Sequence, residues 1–189
     1  MDNDGREDFG LYAVDRDRKR PKIRTLVEPK VSQAGITFAT VVSTLPDDPD
    51  HIIVQWNKRR PGYFGLYKVN VRKGLPVLMT DKISDVTNWL VDHDGVARGA
   101  FTVDGLNAKF LYRSGEDEEF RTLREFSMLD ETISPLVFDF DNKTMYVASN
   151  IGRDKNAVYT YDPETDQLGD MIFSHDEVDV TGLIMSREQ

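Results

Sequence analysis

Apolar residues fall in short runs separated by acidic or glycine-bearing turns along the whole chain. The runs at 39–45, 87–91 and 136–140 are each followed by a turn: Pro46-Asp47-Asp48, Asp92-His93-Asp94-Gly95 and Asp141-Asn142. A second run follows each turn, at 51–56, 96–103 and 144–149. Period-2 alternation is clear in Met145-Tyr146-Val147-Ala148-Ser149 and Val158-Tyr159-Thr160-Tyr161, as expected for strands with one buried face. Asx-rich turns between β-branched and aromatic runs are the hairpin signature, and 76–79 and 171–173 predict closing strands. One stretch departs. In 118–132, Phe120, Leu123 and Phe126 have helix-like spacing, but its place in the pattern predicts a strand.

The pattern repeats. Asn3-Asp4-Gly5-Arg6-Glu7-Asp8-Phe9-Gly10-Leu11-Tyr12-Ala13-Val14-Asp15 aligns with Asn150-Ile151-Gly152-Arg153-Asp154-Lys155-Asn156-Ala157-Val158-Tyr159-Thr160-Tyr161-Asp162 at an offset of 147 residues. Weaker copies are Phe64-Gly65-Leu66-Tyr67-Lys68-Val69-Asn70 and Lys109-Phe110-Leu111-Tyr112-Arg113-Ser114. The anchors Tyr12, Tyr67, Tyr112 and Tyr159 are 55, 45 and 47 residues apart. Four antiparallel strands in roughly 45–50 residues is the arithmetic of a β-propeller blade. The expectation is an all-β chain of about four blades (1–33, 34–80, 81–130, 131–189), a single partial propeller segment whose two ends fall inside the blade pattern.

The repeating tyrosines are expected to bury their rings between blades and send their hydroxyls to polar partners. Gly5 and Gly152 are expected to supply a positive φ in the loop between second and third strands. That places Arg6 and Arg153 on rim loops, either bridging blades or contacting a partner domain or ligand.

Charge and composition narrow the chemistry. The formal net charge is −9, from 24 basic and 33 acidic residues, which argues against a nucleic-acid partner. The basic run Arg16, Arg18, Lys19, Arg20, Lys22 and Arg24 is read as a solvated hairpin turn. Without cysteine there is no thiolate nucleophile or Cys-ligated metal. No apolar run reaches the ~20 residues of a membrane span, so no membrane partner is expected, and 1–8 lacks the apolar core of a secretory signal. No Gly-rich phosphate loop is present, so no cofactor is expected. The acidic runs lack calcium-loop spacing and His175-Asp176-Glu177 has no second histidine at i+4, so no metal site is expected either.

The repeat resembles a known family. The Asn-x-Gly-Arg-Glu-Asp segment through Asp15, Leu45-Pro46-Asp47-Asp48-Pro49-Asp50-His51-Ile52-Ile53-Val54, Tyr67-Lys68-Val69-Asn70-Val71-Arg72-Lys73-Gly74 and Tyr146-Val147-Ala148-Ser149-Asn150-Ile151-Gly152-Arg153-Asp154 together resemble the N-terminal, TolB-like propeller of S9 serine peptidases, the prolyl oligopeptidase and acylaminoacyl-peptidase relatives. The resemblance implies a propeller that restricts access of peptide substrates to a C-terminal α/β-hydrolase domain. That domain would carry its nucleophile in Gly-x-Ser-x-Gly, which this sequence lacks, so no catalytic residue carries over. Two readings stay open: a gating propeller of an S9-type peptidase, with the hydrolase domain and peptides as partners, or a stand-alone interaction propeller. Exposed faces of terminal blades further lead to the expectation that the isolated segment either closes on itself or pairs with a second copy.

Overall fold

The computed structural model describes residues 10–186 except 18, 33–34, 81–82 and 128. Two compact units divide the chain, 1–89 and 90–189. The fold is all-β, built of propeller blades.

In the first unit, β1 (Leu11–Val14) pairs with β2 (Ile23–Val27), and β3 (Lys30–Ser32) with β4 (Gly35–Thr37), as two short antiparallel ribbons. A four-stranded meander follows: β5 (Ala39–Ser43), β6 (His51–Arg60), β7 (Tyr63–Asn70) and β8 (Leu75–Thr80). Leu26 of the first ribbon packs with Val54, Tyr67 and Val69 of the meander in one buried cluster. Buried Asn57 clamps the second ribbon's exit: its Oδ1 accepts from the Phe38 N–H at 2.7 Å and its Nδ2 donates to the Ile36 carbonyl at 2.9 Å. A buried amide so satisfied stabilises the junction, whereas an unmet one would cost roughly 1–3 kcal/mol.

Strand β9 (Val86–Val91) carries the division between the units. It forms a meander with β10 (Ala97–Asp104), β11 (Asn107–Tyr112) and β12 (Arg121–Ser127). The last is β13 (Ile133–Phe138), β14 (Met145–Ser149), β15 (Ala157–Asp162) and β16 (Gln167–Phe173). The core of the second unit joins these two sheets: Leu90, Phe110 and Tyr112 pack against Ile133, Phe138, Met145, Val147 and Tyr161. Within the 118–132 stretch lies the strand Arg121–Ser127, not a helix, and its Phe126 pairs across to Ala108.

Strand boundaries differ from the pattern in the sequence at several ends, most tellingly before the Asp141-Asn142 turn. The run expected at 136–140 is the strand Ile133–Phe138. Asp139 instead closes the turn, its N–H donating to the Thr144 carbonyl at 2.8 Å, and Asn142 adopts φ 55°. Phe140 leaves the sheet and stacks on His93 at 4.7 Å.

The glycine-tyrosine spacing has a steric cause. In Gly65-Leu66-Tyr67, residues two apart share one face of the strand, and the Tyr67 ring lies back over Gly65, where a Cβ would meet Cε2 at 2.9 Å. Gly10 and Tyr12 repeat the arrangement at 2.7 Å. Burial of the anchors is uneven: Tyr67 and Tyr112 are core, Tyr12 is exposed, and in the last sheet Tyr161 is fully buried while Tyr159 packs partly buried beside the cluster. Gly99 makes room across strands, since a Cβ there would sit 2.7 Å from the Phe110 ring and 3.0 Å from the Leu90 Cβ. Gly99→Ala should therefore destabilise by about 1–3 kcal/mol. Gly115→Ala, with nothing within 4 Å of its Cβ, should stay within about 0.5 kcal/mol. Urea midpoints of the two variants check the contrast.

Candidate functional site

The largest concentration of organised polar chemistry lies in the second unit, where the turns of its two sheets meet. The Asp92-Gly95 turn is built by its first residue. Asp92 Oδ1 accepts from the N–H groups of Asp94 (3.1 Å) and Val96 (2.8 Å), and Gly95 takes φ 84°. Oδ2 is thereby left to accept from Arg98 Nη1 at 3.1 Å. Side-chain exposure is 4% for Asp92 and 8% for Arg98, so this ion pair is largely withdrawn from water.

Arg98 is almost completely used. Its Nε donates to the Arg113 carbonyl (2.9 Å), Nη1 also donates to the Asn142 carbonyl (3.1 Å), and Nη2 donates to Tyr112 Oη (2.8 Å). The guanidinium sits 5.0 Å from the Phe138 ring centroid. Tyr112 Oη in turn donates to Glu164 Oε1 at 2.8 Å. The turn of the last sheet closes the network: Asn142 Oδ1 accepts from the His93 N–H (2.9 Å) and its Nδ2 donates to Asp94 Oδ2 (2.8 Å). A planar, rigid fork with five donors reaches groups on both sheets at once.

Around this network opens a cleft of about 660 Å³, lined by Arg98, Tyr112, Ser114, Lys143 and the carboxylates Asp141, Asp162 and Glu164, among others. Burial pushes Tyr112 up to about 12, reinforced by its bond to Glu164 and opposed by Arg98. Burial likewise pushes Tyr161 up to about 12, reinforced by its bond to Asp166. Asp141 is raised by partial burial but held net below the usual carboxylate range by the N–H groups of Lys143 and Thr144. The Ser114 hydroxyl lines the cleft and, among the described residues, makes no hydrogen bond to a basic side chain of the kind that would activate a nucleophile. The arrangement is suited to binding.

The histidines are engaged elsewhere. His51 Nδ1 meets Asp48 Oδ1 at 2.8 Å and its Nε2 meets the Asn70 amide at 3.1 Å. Lys68 and His51 together hold Asp48 down at about 2. His93 Nε2 bonds the Phe138 carbonyl, and His175 Nδ1 accepts from the Glu177 N–H. Among the described residues no group of three or more His, Asp or Glu could hold a metal ion.

Of the two rim arginines singled out in the sequence, Arg6 lies outside the described residues. Arg153 sits on the loop between β14 and β15, where Gly152 has φ 69° and the Arg153 N–H donates to the Asn150 carbonyl. Its Nη1 reaches Met171 Sδ at 3.2 Å, and its Nε is buried without a partner. This loop is at the end of the sheet away from the cleft, so Arg153 takes no part in the Arg98 network. Sequence reasoning missed Arg98. The available signal was a lone charge inside the small and apolar run Val96-Ala97-Arg98-Gly99-Ala100-Phe101, six residues after a turn aspartate.

Comparison with known proteins follows the same fold. The chain is 28% identical over 162 residues to dipeptidyl aminopeptidase BIII from Pseudoxanthomonas mexicana, a match covering 85% of this chain and 22% of that protein. Among solved structures it superposes on TolB from Acinetobacter baumannii with a TM-score of 0.55 and 15% identity, over 85% of this chain and 36% of TolB. The chain resembles a TolB-like propeller segment of an S9-type peptidase. It spans about a fifth of the length of the curated relative it matches. A weaker likeness is to the Cps50 (Swd1) β-propeller domain of Myceliophteria thermophila, with a TM-score of 0.46 and 13% identity, over 88% of this chain and 55% of that one. No family profile matches the chain.

Two outcomes test the network. Arg98→Met strands a buried carboxylate and should cost about 3–5 kcal/mol. The double variant Asp92→Asn/Arg98→Met should recover part of the loss, giving a coupling of about 1–3 kcal/mol in a denaturation cycle. The tyrosines give a pH signature. A folded pKa of about 12 against 10.0 in the unfolded chain favours the neutral phenol in the folded state. The contribution, about 2–3 kcal/mol each, is fully present below pH 10 and lost as pH rises through 12. Stability should fall across that window, with Tyr112→Phe and Tyr161→Phe each flattening the fall. Phenolate absorbance should show these two tyrosines ionising near pH 12 in the folded chain, above the 10.0 of a free phenol.

Proposed function

We propose that the chain is a non-catalytic propeller segment of an S9-type serine peptidase that gates or orients peptide substrates for an α/β-hydrolase domain. The observation that carries this reading is the 28% identity running across 85% of the chain to a dipeptidyl aminopeptidase of which the chain spans only 22%. The physical character of the second unit supports it. A gate that admits peptides by size needs walls that do not deform, and Arg98 and Asn142 fasten two blades through bonds from Arg98 Nη1 to the Asn142 carbonyl and from Asn142 to the His93–Asp94 turn. The hydrolase domain is the partner of this reading, and the repeat-loop arginines Arg6 and Arg153 are the residues expected to contact it.

A second reading, a stand-alone TolB-like propeller binding a protein partner or a second copy of itself, is favoured by β16. There Met171, Ile172 and Phe173 are 53%, 52% and 57% exposed in a row, and a contiguous apolar edge of this kind marks an interaction surface.

The reading frame around this segment and the protein it encodes decide between them. The gating reading expects a Gly-x-Ser-x-Gly hydrolase domain in the same frame. It also expects the full-length protein to cleave short chromogenic peptides while sparing folded proteins, with this segment alone inactive. A frame without that domain, or robust hydrolysis by the segment alone, overturns it.

A further inference from the structure

A second concave site lies in the first unit, away from the turns and sheets argued above. It is a groove of about 480 Å³ lined by Thr25, Leu26, Glu28, Lys30, Thr37, Trp56 and Lys58. Its polar lining is dominated by donors. Lys30 and Lys58 each present an ammonium that meets no carboxylate among the described residues, and Lys58 Nζ rests 4.8 Å over the Trp56 ring. Thr25 and Thr37 add hydroxyls, and Glu28 is the one acid of the lining.

Trp56 supplies the independent observation. Its indole packs edge-on to Tyr67 at 5.6 Å, and its Nε1 is shut off from solvent with no hydrogen-bond partner. An indole N–H can only donate, so only an acceptor can satisfy it, and an unmet buried donor in a folded protein calls for an explanation such as a missing ion or ligand. The surroundings agree in sign. Residues 1–89 hold 15 Lys and Arg against 12 Asp and Glu, whereas 90–189 hold 9 against 21, so this groove lies in the basic half of an acidic chain.

We infer that the groove binds a compact oxyanion, carboxylate or phosphate, held by Lys30 and Lys58 and accepting a hydrogen bond from Trp56 Nε1. Lysines suit such a ligand as movable point charges. Engaging Nε1, which is shut off from solvent, requires the indole to rotate from its packed position toward the groove. The site goes beyond the gating role and does not depend on it.

The chain has two tryptophans, Trp56 and Trp89, so its amide–nitrogen NMR spectrum carries two indole N–H signals. Trp89 Nε1 already donates to the Phe64 carbonyl at 2.7 Å and serves as an internal reference. Trp56→Phe assigns the pair. Titration with inorganic phosphate and, separately, with acetate at constant ionic strength should move the Trp56 signal saturably while leaving that of Trp89 in place. Lys30→Met/Lys58→Met should raise the dissociation constant at least tenfold with the Trp89 signal unchanged. Saturation by phosphate alone or by acetate alone identifies the source of the oxyanion. No saturable movement with either anion, a movement reproduced by sodium chloride, or an unaltered constant in the double variant overturns the inference.

Discussion

The second unit depends on one guanidinium. Arg98 is buried in a position where an isolated charge would be strongly unfavourable, and its placement is tolerated because every direction in which it points is met. Asp92 neutralises it, the carbonyls of Arg113 and Asn142 and the hydroxyl of Tyr112 accept from it, and the Phe138 ring flanks it. Buried ion pairs are poor sources of net stability. Their value is conditional: remove one member and the remainder is worse than an apolar core. That condition explains the local sequence. Asp92 must present one oxygen to its own turn and the other to Arg98, Gly95 must permit the turn, and Asn142 must take a left-handed φ so that its carbonyl and side chain both reach the facing turn.

Much of the fold was legible because it rests on local pattern. Strand periodicity, Asx turns and the spacing of the anchor tyrosines all report the blade, and the structure adds the reason for the Gly-x-Tyr element: the ring needs the empty face of the glycine two residues before it. The 118–132 stretch was ambiguous by spacing alone, since three aromatic and aliphatic residues can satisfy a helix or a strand; cross-strand pairing with Asn107–Tyr112 resolves it.

The site was less legible, for a physical reason. Arg98 gains its meaning from groups 15 and 44 residues away, Arg113 and Asn142, and no single-sequence pattern encodes that convergence. The same holds for the exchange of burial between Tyr159 and Tyr161: Tyr161 is held by Asp166 and Arg124, and the pairing with β16 shifts register between the two tyrosines. Arg153 shows the converse. Its repeat position drew notice, yet it stands apart from the network.

The central physical claim is that the two sheets of the second unit open as one body because Arg98 and Asn142 lock their turns together. Native-state hydrogen exchange tests it most directly. The amides of Asp92, donating to the Val96 carbonyl, and of Arg113, donating to the Arg98 carbonyl, report on one sheet, and that of Asp139, donating to the Thr144 carbonyl, reports on the other. The account predicts a single opening free energy for all three amides that shifts together as denaturant is added. Distinct opening energies, with one sheet exchanging while the other stays protected, would contradict it.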